Sequence, residues 1–99
     1  MTFDDFRKSL SQPRVPAGLA APLEALWHDA RGDWNAAHET AQDVAGPDGS
    51  WVHAYLHRKE GDAANAAYWY RRAGQAVCRQ SLEEEWEAIV RALLSRARP

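Results

Sequence analysis

Gly61-Asp62-Ala63-Ala64-Asn65-Ala66-Ala67-Tyr68-Trp69-Tyr70-Arg71-Arg72-Ala73-Gly74 is the stretch whose reading decides the fold. An aspartate at the front of a helix accepts hydrogen bonds from backbone N–H groups that have no partner in the first turn. A glycine at the back takes the left-handed backbone that ends a helix. Between them Ala63, Ala66, Tyr70 and Ala73 recur at intervals of three and four, so one face is apolar. The stretch predicts a helix over 62–73. Gly32-Asp33 repeats its opening upstream.

A shift of 29 residues lays 23–44 over 52–73. Ala25 then meets Ala54, His28 meets His57, Gly32 meets Gly61, Asp33 meets Asp62 and Ala37 meets Ala66. These matches fall where two packed helices need them: glycine for the tight corner, aspartate for the cap, alanine for close approach.

Working outward, Pro22 suits the first turn of a helix. Leu23, Leu26, Trp27 and Ala30 then fall on one face before Gly32. Asp33 caps a helix over 34–45, with Trp34, Ala37, Ala41 and Val44 inward. Gly46-Pro47-Asp48-Gly49 reads as a turn. Ser50 or Asp48 caps the next helix, 51–60, whose apolar face is Val52, Tyr55 and Leu56. Ser81-Leu82-Glu83-Glu84 is a capping box. After it Leu82, Trp86, Ile89, Val90, Leu93, Leu94 and Ala97 keep helical period. At the other end Thr2 with Asp5 caps a short helix within 2–11 that carries Phe3, Phe6 and Leu10 on one face. No segment alternates with period two, so no sheet is predicted. The expected architecture is a single all-α domain over 1–99 with about five helices. Two antiparallel helical hairpins (about 22–45 and 51–74) are joined by an N-terminal helix and a C-terminal capping helix (about 82–97).

Composition excludes several function classes. With 99 residues the chain has room for one domain. A net charge of −2 gives no global field to draw nucleic acid. The single cysteine, Cys78, excludes an internal disulfide and a multi-cysteine zinc site. The acidic N-terminus does not read as a signal peptide, and no run reaches the ~18 apolar residues of a membrane span. The expected setting is cytoplasmic, away from membranes. Five tryptophans are many for this length, and each can bury ~200 Å².

Ala66-Ala67-Tyr68-Trp69-Tyr70-Arg71-Arg72-Ala73 resembles the close of a SEL-like repeat, and Gly61-Asp62 resembles the corner of a tetratricopeptide repeat. Gly32-Asp33-Trp34 with Ala37 repeats the corner half. The resemblance covers about half the chain. Its 29-residue offset is shorter than the family's usual period, and His28 and His57 stand where the first helix of each pair usually has an aromatic. It implies that the first helix of a pair lines a binding groove, which would turn Trp51, Tyr55 and Arg58 toward a ligand. Tyr68 and Arg72, with Arg71, cluster on the outer side of the following helix.

Few residues suggest chemistry. His53 and His57 share a helix face, with Glu60 one turn on, a spacing that can hold a zinc or nickel ion. Ala54 occupies the place where a metalloprotease would need a glutamate. The plainer reading of these three is a hydrogen-bonded pair beside the apolar face, with no metal or cofactor. His28 and His57 read as packing in place of aromatics, and His38 as a satisfied histidine at the core edge. Cys78 has only Arg79 beside it to lower its pKa. Ser50 and Ser81 read as caps, and the glutamates at 83, 84, 85 and 87 as a solvated helix start. No catalytic set assembles. The expected function is therefore a non-enzymatic module that binds a protein or peptide partner through Trp51, Tyr55, Arg58, Tyr68 and Arg72. Two alternatives stand beside it: a self-associating homodimer, and a metal- or small-molecule-binding protein using His53, His57 and Glu60.

Overall fold

The computed structural model describes residues 1–96 and is all-helical there, with no strand among them. Six helices form where about five were expected: α1 (Phe3–Ser9), α2 (Ala21–Ala30), α3 (Trp34–Gln42), α4 (Pro47–Glu60), α5 (Ala63–Ala73) and α6 (Leu82–Arg96). Ala97, expected on the inner face of the last helix, lies outside the described residues.

The caps follow the local chemistry. Thr2 Oγ1 accepts from the Asp5 N–H and Asp5 Oδ2 accepts from the Thr2 N–H, a complete capping box. Ser81 Oγ accepts from the Glu84 N–H at the head of α6. One expected boundary is corrected. Gly46-Pro47-Asp48-Gly49 is the first turn of α4 and not a separate turn, because Pro47 sits where a helix needs no N–H and Asp48 complements the helix dipole. Ser50 consequently lies inside the helix and is buried. Gly49 must be small here: a Cβ on it would stand 2.5 Å from the Val44 carbonyl oxygen.

Around α4 the other helices gather. It packs against α2, α3, α5 and α6, and Val52, Ala54, Tyr55 and Leu56 are fully or almost fully buried. The most extensive contacts join neighbours in sequence, α4 with α5 and α2 with α3. The main core combines Phe6, Leu23, Leu26, Trp27, Val52, Leu56, Ile89 and Val90. A smaller one, Ala54, Ala66 and Tyr70, lies between α4 and α5, where the alanines permit close approach. Ala30 and Ala63, expected inward, are exposed at the ends of their helices.

Buried and half-buried tryptophans also tie elements through their indole N–H. Trp27 donates to Ser9, Trp34 to the Leu56 carbonyl and Trp86 to the Leu26 carbonyl. Two buried carboxylates do the same. Asp29 accepts from the Tyr55 hydroxyl (3.2 Å) and Lys59 Nζ (2.9 Å). Glu85 accepts from Arg58 Nη1 (2.8 Å) and the Tyr70 hydroxyl (2.5 Å). Burial, together with those carboxylates, pushes the Tyr55 and Tyr70 phenols above their ordinary range. No described helix is long and apolar enough to cross a membrane.

Candidate functional site

Gly61 takes a left-handed backbone (φ +92°) and ends α4, and Asp62 caps α5 by accepting from the Asn65 N–H. That corner turns α5 back so that Asn65 and Trp69 meet the α4 face bearing His53 and His57. On the other side of α4 stand Trp34 and His38 of α3, with Trp34 fixed by its bond to the Leu56 carbonyl (2.9 Å). Each of the three helices contributes two residues four apart, hence on one face: Trp34 and His38, His53 and His57, Asn65 and Trp69.

The result is a cluster of three imidazoles between two indoles. His38 Nε2 and His53 Nε2 are 2.9 Å apart, a hydrogen bond in which one ring donates and the other accepts. His53 and His57 stack with centroids 4.7 Å apart, and His38 meets His57 edge-on at 5.2 Å. Trp34 stacks on His38 at 4.9 Å and Trp69 on His53 at 4.0 Å. His57 Nδ1–H donates to Glu60 Oε2 (2.5 Å), and the Asn65 side-chain amide donates to His57 Nε2 (3.4 Å). Both bonds describe the same tautomer, with the proton on Nδ1 and the lone pair on Nε2. His53 and His57 are buried, while His38, Asn65 and the two indoles are half-buried, so the cluster is partly exposed to solvent.

Electrostatics disfavour charge on His38 and His53. Burial, and then the charge that would form on His38 and His57, lowers the His53 pKa to about 4. His38 is lowered for the same first reason, with His57 next. One ring nitrogen from each of His38, His53 and His57 lies within 4.8 Å of the others. A second set, His57, Glu60 and Asp62, meets the same criterion, but Glu60 and Asp62 are exposed and both already accept hydrogen bonds.

Residues singled out in the sequence separate into two places. Tyr55, expected to face a ligand, is 2% exposed with its hydroxyl on Asp29. Arg58 is held by Glu85 and the Gln80 carbonyl. Trp51 is half-buried, with the Arg96 guanidinium 5.6 Å above its ring. Tyr55 thus has its partner on α2, and Arg58 and Trp51 have theirs on α6 and the segment before it. Tyr68 and Arg72 lie elsewhere, beside the cluster. Arg72 donates to the Tyr68 hydroxyl and covers Trp69, which in turn stacks on His53.

His53 and His57 do adjoin, but Glu60 sits on the far nitrogen of His57, and the third nitrogen in reach comes from His38. His28 stays with Glu24 in its own helix. Trp34, His38, Asn65 and Trp69 did not stand out as site residues in the sequence. Their common signal was there, since each pairs a polar and an aromatic residue four apart on a helix next to the histidine-bearing one. No protein-family profile, curated protein or solved structure matches the chain.

Proposed function

We propose that the chain is a non-enzymatic binding domain on a tetratricopeptide-like scaffold of paired helices, and that the histidine–tryptophan cluster of α3, α4 and α5 is its binding site. The scaffold reading draws support from the two Gly-Asp corners. Asp33 N–H donates to the His28 carbonyl (3.0 Å) and Asp62 N–H to the His57 carbonyl (2.9 Å), with the two aspartates at nearly equal backbone angles.

The observation that carries the binding reading is the cluster itself. Three imidazoles crowd a half-open corner where apolar side chains would pack at lower cost. Arrangements that break the ordinary packing rules are expected at functional sites. Ser81 caps α6 and Ser9 bonds the Phe6 carbonyl and Trp27, so both hydroxyls have structural tasks. A protein or peptide groove along Trp51, Tyr55 and Arg58 draws no such support, because Glu85 and Asp29 claim those side chains.

A double variant, His38→Leu with His53→Phe, separates binding from structural roles. It removes both partners of one hydrogen bond and replaces them with apolar groups of similar size, which is near neutral when the bond has no structural task. The expected result is a melting temperature within about 4 °C of the parent or above it, where about 1 kcal/mol corresponds to ~4–8 °C for this size. A fall of about 15 °C or more would make the cluster a structural core element and end the binding-site reading.

A further inference from the structure

We propose that His38, His53 and His57 together bind one divalent transition-metal ion of the zinc class, leaving a coordination position open on the solvent side. The inference rests on the reading that this cluster is the binding site, and names its ligand.

Imidazole nitrogen suits zinc, cobalt and nickel, and a site with three protein ligands keeps a place for water or another small ligand. Zinc–nitrogen bonds of about 2.0–2.1 Å in a tetrahedron put ligand nitrogens about 3.3 Å apart. The His38 and His53 nitrogens, now 2.9 Å apart, need only open slightly, and the His57 nitrogen, within 4.8 Å, needs to close. The helices already set the directions: His53 and His57 are one turn apart on α4 and His38 approaches from α3.

Protonation also favours capture. Glu60 accepts the Nδ1–H of His57, which fixes the ring and leaves the Nε2 lone pair forward. Histidines that bind metals commonly have such a carboxylate on the other nitrogen. Asn65, donating to that lone pair at 3.4 Å, marks the place a cation would take and holds it only weakly. Between His38 and His53 one proton occupies the shared space, and it moves to an Nδ1 when the ion enters. Trp34 and Trp69 close the sides with π faces, which favour positive charge between them.

Tag-free protein, stripped with chelator and dialysed, is titrated with zinc chloride by calorimetry, and with cobalt chloride by absorption. The expected result is one ion per chain with a Kd at or below ~10 μM, and cobalt bands of a low-coordinate nitrogen site. At a hundredfold excess over Kd the melting temperature rises by about 10 °C or more. His38→Ala and the double variant weaken binding at least about 100-fold, and Glu60→Gln about 10–100-fold. His28→Ala leaves it unchanged. Circular dichroism of each variant confirms the helical fold, and His38→Gln replaces any variant that fails to fold.

No saturable binding at 1 mM zinc by the folded parent overturns the proposal, as does binding that survives in the double variant. Those failures differ from failure of the binding-site reading. A double variant that stays stable while the parent binds no metal leaves the cluster as a site for another ligand. A double variant that loses its fold removes the cluster as a site altogether.

Discussion

The two Gly-Asp corners have one backbone and two different uses. Gly32 and Gly61 both take positive φ (83° and 92°), and Asp33 and Asp62 both cap the helix that follows. At the 29-residue offset, Glu24 and His28 of α2 correspond to His53 and His57 of α4. The first two make a half-exposed hydrogen-bond contact at 3.4 Å. The second two are buried, joined by His38 and walled by indoles. Position 36 holds alanine where position 65 holds asparagine, and position 40 holds threonine where position 69 holds tryptophan. One corner is therefore a structural joint. The other is the same joint with the histidine–tryptophan cluster built on it, and the difference lies in side chains.

The largest effects should come from the residue just after each histidine, where the two units also part. Asp29 ties its unit to α4, and Arg58 ties its unit to Glu85 of α6. Glu85→Ala strips the Tyr70 hydroxyl and a mostly buried guanidinium of their acceptor, and should cost about 3 kcal/mol. Asp29→Ala removes a pair whose lysine is more exposed, and should cost about 2 kcal/mol. Urea unfolding measures both. A larger loss at Asp29 than at Glu85 would place the mechanical centre in the first unit.

Acid should distinguish the units next. His53 is held down to about 4 in the folded chain against 6.5 in an unfolded one. Between those values the unfolded state binds the extra proton, so stability falls as pH is lowered. Above about 6.5 the group has no effect. The metal-free protein should lose up to about 3 kcal/mol of stability from pH 7 to pH 4.5 through this ring. His38 acts in the same direction, while His57 and Glu60 complete the charges around it. In the His53→Phe variant most of that slope should vanish, whereas His28→Ala should leave it intact. Equal slopes in the parent and His53→Phe would show that the acid sensitivity arises elsewhere.

Much of this organisation was legible in the sequence, and the part that was not has a physical cause. Capping aspartates, corner glycines and apolar spacing are local, and they placed α3, α5 and α6 to within a few residues. Gly46-Pro47-Asp48-Gly49 misled because glycine, proline and aspartate serve both a turn and a helix start. The packing of α4 against α2, α3, α5 and α6 favours the helix start, and that packing belongs to tertiary structure. Nothing local to Tyr55 and Arg58 says that Asp29 of α2 holds the Tyr55 hydroxyl and Glu85 of α6 the Arg58 guanidinium. His38 and His53 are 15 residues apart, and the rotation of α3 about α4 decides whether they meet. Spacing along one helix showed His53 with His57; the third histidine needed the packing.

The smallest effects test whether the corners are one device. A Cβ added at Gly32 or Gly61 meets no atom within 4 Å, so alanine there costs only its left-handed backbone, about 1–2 kcal/mol at each. Asp33→Ala and Asp62→Ala each remove one cap and should cost about 1 kcal/mol. Because the backbone bonds at the two corners match in pattern and length, the paired losses should agree within about 0.5 kcal/mol in thermal or urea unfolding. Asp62 differs in one respect: its helix start also aims Asn65 at His57. Asp62→Ala should therefore loosen the amide that competes for the His57 lone pair and strengthen zinc binding by a few fold at unchanged fold, while Asp33→Ala, whose helix start presents Ala36 at the equivalent place, should lower stability alone. An equal change of zinc affinity in both variants would mean that the second corner has no part in shaping the site beyond holding two helices together.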